Sequence, residues 1–263
     1  LGRYLRRTGA GQFFQRIRVD LCELHTDRRS LEGAIAEVAE RFGMQWRVAY
    51  PEQQKRVALF VSKYDHCLYD LLLRHRAGEL RCEIPLIISN HPNLEPVARH
   101  FGIAWHCLPV TRETKADQEQ AILALLASAG VDLVVLARYM QILTPRIVGA
   151  LPGQIINIHH SFLPSFKGAN PYKQAFERGV KLIGATSHYV TADLDEGPII
   201  EQDTVRVTHA QSPSDYVSLG RDVESQVLSR AIHAHMHRRV FLNGDKTVVF
   251  PASPGEYASE RMG

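Results

Sequence analysis

Residues 153–161 read G-Q-I-I-N-I-H-H-S. Gln154 to Ile158 is a short apolar run rich in β-branched residues, preceded by a proline-containing turn, as a buried parallel strand is. Asn157 and His159 stand two residues apart at its C-terminal end, so strand alternation turns both to one face. In open α/β sheets, ligands bind beyond the carboxyl ends of the strands. A strand that ends in an amide and an imidazole is therefore a candidate site as well as a core element. Further along, Leu194-Asp195-Glu196-Gly197-Pro198 sets a carboxylate in a tight glycine–proline turn, and His188 lies near the end of the β-rich run Val180–Val190.

Outward from this stretch, Val57–Val61, Ile84–Ile88, Ile103–Leu108 and Val131–Ala137 read as strands. Helical patterns over Asp65–Arg76, Asn93–Phe101 and Gln118–Ala129 separate them, with Gly78 and Gly102 as stops. This alternation predicts an α/β fold with a doubly wound, mostly parallel sheet and right-handed crossovers. A short helix over Pro145–Ala150 and another from Pro171 follow, and Val180–Val190 and Ile199–Val207 form an antiparallel extension. Ser212-Pro213-Ser214-Asp215 opens a helix that buries Tyr216, Leu219, Val223, Val227 and Ala231. Asn243-Gly244 turns into a last strand, Lys246–Phe250. At the other end, Gly11–Leu24 alternates as a half-buried strand (Phe13, Ile17, Val19, Leu21). Ser30 caps a helix with Leu31, Ile35, Val38, Ala39 and Phe42 on one face, Gly43 stops it, and Met44–Tyr50 reads as a strand. The expected organisation is a small α+β module over 1–50, a polar linker over 51–55 and a main domain over 56–263.

A net charge of +3 over 263 residues, with no lysine/arginine run, argues against nucleic acid as a partner. Arg3, Arg6 and Arg7 read as a solvated terminus. No apolar run approaches a membrane span and no signal-peptide pattern is present, which points to the cytoplasm. Cys22, Cys67, Cys82 and Cys107 lack C-x-x-C spacing and read as reduced thiols. Of His233, His235 and His237, only the first and last share a helix face, and no H-E-x-x-H accompanies them, so a solvated helix end is expected and no metal site. Ser161 lacks the G-x-S-x-G elbow of a serine nucleophile, and His160 faces away from His159 if the strand continues.

Asn157-Ile158-His159-x-Ser161-x-Leu163-Pro164, followed by His188-x-Val190-Thr191-x-x-Leu194-Asp195-x-Gly197-Pro198, resembles the signature of the folate-dependent formyltransferase family over roughly residues 56–250. Ser89-Asn90-His91, Leu108-Pro109-Val110-Thr111, Arg138 to Leu143 and His159 to Phe166 resemble its formyltetrahydrofolate deformylase branch. The resemblance implies Asn157, His159 and Asp195 as the catalytic group, with His188 in support. It also implies a pterin held near Met140, Ile142, Leu143, Val190, Thr191 and Leu194, with no cofactor or metal beyond the folate substrate. The F-F-x-R-I segment resembles the second half of an ACT domain, which implies a homo-oligomer and an amino-acid effector. Only Leu1–Ala10 precede that segment, so the module reads as incomplete.

The chemistry agrees. Attack on a formyl carbon places negative charge on its oxygen, and an Asn amide and a protonated His are suitable donors to it. A neighbouring carboxylate favours the charged imidazole and can take a proton from water. In the family, a glycine-rich loop after the first strand binds an acceptor's phosphate. Here that position reads Val61-Ser62-Lys63-Tyr64-Asp65-His66-Cys67-Leu68, without glycine and with a repelling carboxylate. A transfer-RNA acceptor would call for a further C-terminal domain, and the chain ends soon after Phe250. Water is left as the expected acceptor, which yields formate for purine synthesis and one-carbon balance. The alternatives are a glycinamide ribonucleotide formyltransferase and a non-catalytic folate or amino-acid sensor.

Overall fold

The computed structural model describes residues 2–7, 12–20, 25–50, 52–165 and 170–254; Leu21, Cys22 and Phe166 lie outside them. The chain forms two compact units, residues 1–54 and 55–263.

In the first unit, β1 (Gly2–Arg7) pairs antiparallel with β2 (Phe13–Arg18), and α1 (Arg28–Phe42) follows. Asp27, not Ser30, is the N-cap: its carboxylate accepts the Ser30 backbone N–H at 2.7 Å, so Ser30 is already inside the first turn. Gly43 closes the helix in the left-handed region at φ 61°. The strand expected over Met44–Tyr50 does not form. A strand needs a ladder partner, and no described residue pairs with this segment. Its Tyr50 hydroxyl donates to Glu32 instead, and Arg28 lies over the Tyr50 ring.

The second unit begins at Lys55, inside the expected linker. Its strands are β3 (Lys55–Val61), β4 (Cys82–Glu83), β5 (Leu86–Ser89), β6 (Ala104–Cys107), β7 (Leu133–Leu136), β8 (Ile155–His159), β9 (Leu182–Tyr189) and β10 (Ile199–Arg206). The sheet order is β10-β9-β8-β7-β3-β5-β6, with β4 beside β3. Strands β8, β7, β3, β5 and β6 run parallel, and β9 and β10 add antiparallel. Because the order reverses at β3, the edge beyond β3 and β7 is the switch point where such sheets bind ligands.

Alternation along the strands builds two cores. Leu59 and Val61, Val135 and Ala137, and Ile156 and Ile158 pack with Cys67, Leu68, Leu71 and Leu72 of α2 (His66–Ala77) and Val227, Leu228 and Ala231 of α7 (Pro213–Met236). The opposite face (Phe60, Leu136, Ile155) packs on Ile122 and Leu126 of α4 (Lys115–Ser128) and Ile147 of α5 (Pro145–Ala150). Each such fully buried aliphatic side chain contributes about 1.5–3 kcal/mol. Two shorter helices, α3 (Glu95–His100) and α6 (Pro171–Glu177), complete the wrapping.

Helix α7 starts as expected, with a Ser212–Asp215 capping box. Its far end is not solvated. His233 is buried and stacks on His237 at 4.1 Å between ring centres, and His235 meets the Tyr189 hydroxyl at 2.7 Å. Beyond it a hairpin of β11 (Val240–Asn243) and β12 (Lys246–Val249) folds back: Arg239 Nη2 lies 3.3 Å from His233 Nδ1, Phe250 N–H donates to the Arg239 carbonyl, and the Arg239 guanidinium donates to the Phe250 carbonyl. No helix among the described residues is long and apolar enough to cross a membrane.

Candidate active site

Strand β8 carries Asn157 and His159 on the α4/α5 face, and β9 lies antiparallel beside it with His188 directly opposite Asn157. Asn157 Nδ2 is 3.2 Å from His188 Nε2, and His188 Nδ1 is 2.9 Å from the Tyr189 carbonyl. The carbonyl can only accept, so Nδ1 carries a proton. After β9 the chain turns at Thr191–Gly197, where Thr191 Oγ1 donates to the Asp193 carbonyl at 3.1 Å. Asp195 sits there at φ 56°, with Oδ2 3.3 Å from His159 Nδ1 and Oδ1 3.7 Å from His188 Nε2. The turn closes because Gly197 carries no side chain. A Cβ there would collide with the Tyr189 carbonyl oxygen and stand 3.3 Å from His188 Nδ1. Gly197→Ala is therefore expected to cost about 1–3 kcal/mol and to displace Asp195, which thermal melts and a crystal structure of the variant would check.

Burial pushes the Asp195 carboxyl up, but the hydrogen bonds and charges of His159 and His188 outweigh it and hold it well below the usual carboxylate range. The His159 imidazole is buried, and its Nε2 meets no hydrogen-bond partner in the protein. Around this group, Met140, Ile142 and Leu194 are exposed and Val190 and Thr191 are half-buried, whereas Leu143 is part of the core. Three contacts that the sequence did not announce clamp the Met140–Thr144 loop. Met140 N–H donates to Ser62 Oγ at 3.0 Å, Gln118 Nε2 donates to the Tyr139 hydroxyl at 3.2 Å, and buried Glu119 accepts from Thr144 N–H at 2.9 Å. Ser161 Oγ is committed to the Ser165 carbonyl at 2.8 Å.

His160 points to the other face of the sheet, 6.1 Å from the Tyr172 ring. Beyond it lies a buried cluster centred on Glu224. The Tyr172 hydroxyl donates to Glu224 Oε1 at 2.5 Å, His66 Nε2 is 2.8 Å from Oε2, and Arg138 Nε is 3.3 Å from the same oxygen. Burial raises the Glu224 carboxyl, but His66, Arg138 and Tyr172 together bring it below its ordinary value. Gly220 lets Tyr172 lie across α7, since a Cβ there would collide with the ring. One signal was available in the sequence: Glu224 follows Val223 on the buried stripe of α7, where a charge needs a partner. His66, Cys67 and Glu224 are grouped closely enough to hold a cation. However, burial first, and then the Glu224 charge, push the Cys67 thiol well up, and a ligand thiol must ionise.

Burial, and next the Arg138 charge, lower His160 to about 3. The folded state thus keeps this ring neutral, while the unfolded chain takes up a proton below the ordinary value of 6.5. The stability it confers is complete above that value and is lost as pH falls toward the folded one. In His160→Gln the stability lost between about pH 7 and about pH 5 should shrink by about 2 kcal/mol, measured by urea denaturation at both pH values.

The Formyl transferase family model matches residues 55–232. The chain belongs to the formyl transferase family. It is 54% identical to the formyltetrahydrofolate deformylase of Synechocystis sp. over 92% of this chain and 84% of that one. The crystal structure of a formyltetrahydrofolate deformylase from Pseudomonas syringae pv. tomato superposes with TM-score 0.91 at 46% identity, covering 95% of this chain and 84% of that one. Glycinamide ribonucleotide transformylase 1 from Symbiobacterium toebii shares the formyl transferase fold at TM-score 0.71 and 29% identity, over 78% of this chain and 99% of that one. Within the formyl transferases, the chain groups with the deformylases.

Proposed function

We propose that this chain hydrolyses 10-formyltetrahydrofolate to formate and tetrahydrofolate, with Asn157, His159 and Asp195 as the catalytic group. The observation that carries this reading is the approach of Asp195 Oδ2 to His159 Nδ1, 3.3 Å apart although the residues are distant in the chain. With Nδ1–H donating to Asp195, the imidazolium turns its Nε2–H to the formyl oxygen, and the Asn157 amide adds a second donor. Pre-oriented donors of this kind are worth about 3–4 kcal/mol each where one has been removed. His188 fixes the Asn157 amide through Nε2.

Water attacks the formyl carbon and gives a proton to Asp195. The carbon–nitrogen bond then breaks, and the folate nitrogen takes up a proton as it leaves. In the resting site Asp195 is a weak base, because two imidazoles hold it ionised. Once negative charge builds on the substrate oxygen, it draws on the positive charge of His159, and the carboxylate becomes a stronger proton acceptor. The scheme needs no metal or cofactor. Exposed Met140, Ile142 and Leu194 offer apolar surface for the pterin end.

In the cell the product formate would feed purine synthesis from the cytoplasm. The first unit would serve as an ACT-like module, pairing copies of the chain and taking an amino-acid effector. The deciding assay is formate release by the purified protein from 10-formyltetrahydrofolate without any acceptor. Turnover only after glycinamide ribonucleotide is added would make it a transferase, and folate binding with no turnover would make it a sensor.

A further inference from the structure

We infer that the buried Glu224 cluster fills the space a second substrate would occupy, and so restricts the acceptor to water. This inference rests on the hydrolytic reading and names what enforces it. At the carboxyl edge of the sheet, His159 has two flanks. One is formed by the Met140–Thr144 and Val190–Glu196 loops, whose Met140, Ile142 and Leu194 side chains are exposed and suit a flat ligand. The other is reached through His160, 5.4 Å from the His159 ring, and is packed with Tyr172, Glu224, Arg138 and His66.

An amine acceptor would have to enter on the second flank, because the folate occupies the first. That flank is closed by side chains held to one another. Glu224 is 1% and Tyr172 6% exposed, and Arg138 is 7% exposed with its guanidinium 4.8 Å from the Tyr64 ring centre. The Glu224 carboxylate is held inside the cluster by the Tyr172 hydroxyl and the His66 ring, and Gly220 provides the space that seats Tyr172. Water is small enough to reach the formyl carbon past such a barrier, and an amine on a larger body is not.

If the barrier is opened, an amine nitrogen attacks the formyl carbon. The bond from that carbon to the folate nitrogen breaks, the folate nitrogen gains one proton and the amine loses one, giving an N-formyl amine in place of formate. The experiment supplies formyl-labelled 10-formyltetrahydrofolate with excess glycinamide and compares labelled formate with labelled formyl amine. The unaltered protein is expected to yield formate alone. Tyr172→Ala and His66→Ala should each raise the captured share by roughly tenfold or more, while Tyr172→Phe, which keeps the ring, should stay with water.

Folded Tyr172→Ala and His66→Ala proteins that still release only formate would overturn the inference and leave the hydrolytic reading standing. Capture of amines by the unaltered protein would overturn it too. Failure of the unaltered protein to release formate would instead remove the hydrolytic reading beneath it. His66 lies nearer the surface, so its variant decides the matter if Tyr172→Ala does not fold.

Discussion

Asp195→Asn is expected to lower kcat for formate release roughly a thousandfold in a protein that folds normally. The substitution suits the backbone, because Asp195 sits at φ 56° and asparagine tolerates the left-handed region as readily as aspartate. The amide keeps the size of the carboxylate and can still accept from His159 Nδ1. It has no charge to balance an imidazolium and cannot take a proton from water. The missing interactions belong to the transition state, so KM should change little. Steady-state formate release with a parallel thermal melt is the measurement. A kcat within a few-fold of the parent's would remove Asp195 from the mechanism.

The second large effect is on stability. Glu224→Leu should destabilise the main unit by about 3–5 kcal/mol, which lowers the melting temperature by on the order of 10 °C. Leucine fills much of the same volume and is at home on the apolar stripe of α7. The cost comes from what is left behind: Arg138 loses the Glu224 carboxylate oxygen 3.3 Å from its Nε, the Tyr172 hydroxyl loses its acceptor, and His66 loses its Glu224 partner. A buried charge without a counterion is far more costly than a missing methylene. Guanidinium denaturation would show it, and a loss under about 1 kcal/mol would mean that the cluster contributes no more than a surface pair.

The elements that periodicity dictates were legible from the residues. The apolar runs of β3, β7 and β8 could only be strands buried on both faces, and Ser212-Pro213 could hardly be anything but a helix start. The candidate site residues Asn157, His159 and Asp195 could be singled out by their order in the motif, and the fold brings His159 and Asp195 within 3.3 Å. What the sequence hid were features decided between distant segments. The cap of α1 moved to Asp27 because a carboxylate three residues before Ser30 reached its N–H, and Met44–Tyr50 has strand composition but no partner ladder. His233 reads as part of a solvated helix end, yet it is buried, with Arg239 from beyond the helix 3.3 Å from its ring nitrogen. The Glu224 cluster joins residues from α2, the loop after β7, α6 and α7, and no local pattern spans that distance. The same holds for Gln118 and Glu119, which look like surface residues of α4 yet clamp the Met140–Thr144 loop.

The pairing of β8 with β9 has a consequence for refolding. Asn157 faces His188 across an antiparallel ladder, and a slip of one residue would send His188 to the opposite side of the sheet. A slipped chain could match the native far-ultraviolet spectrum and still be catalytically silent. Recovery of activity after dilution from denaturant therefore reports strand alignment, and any lag of activity behind the spectrum measures the time the chain takes to find it.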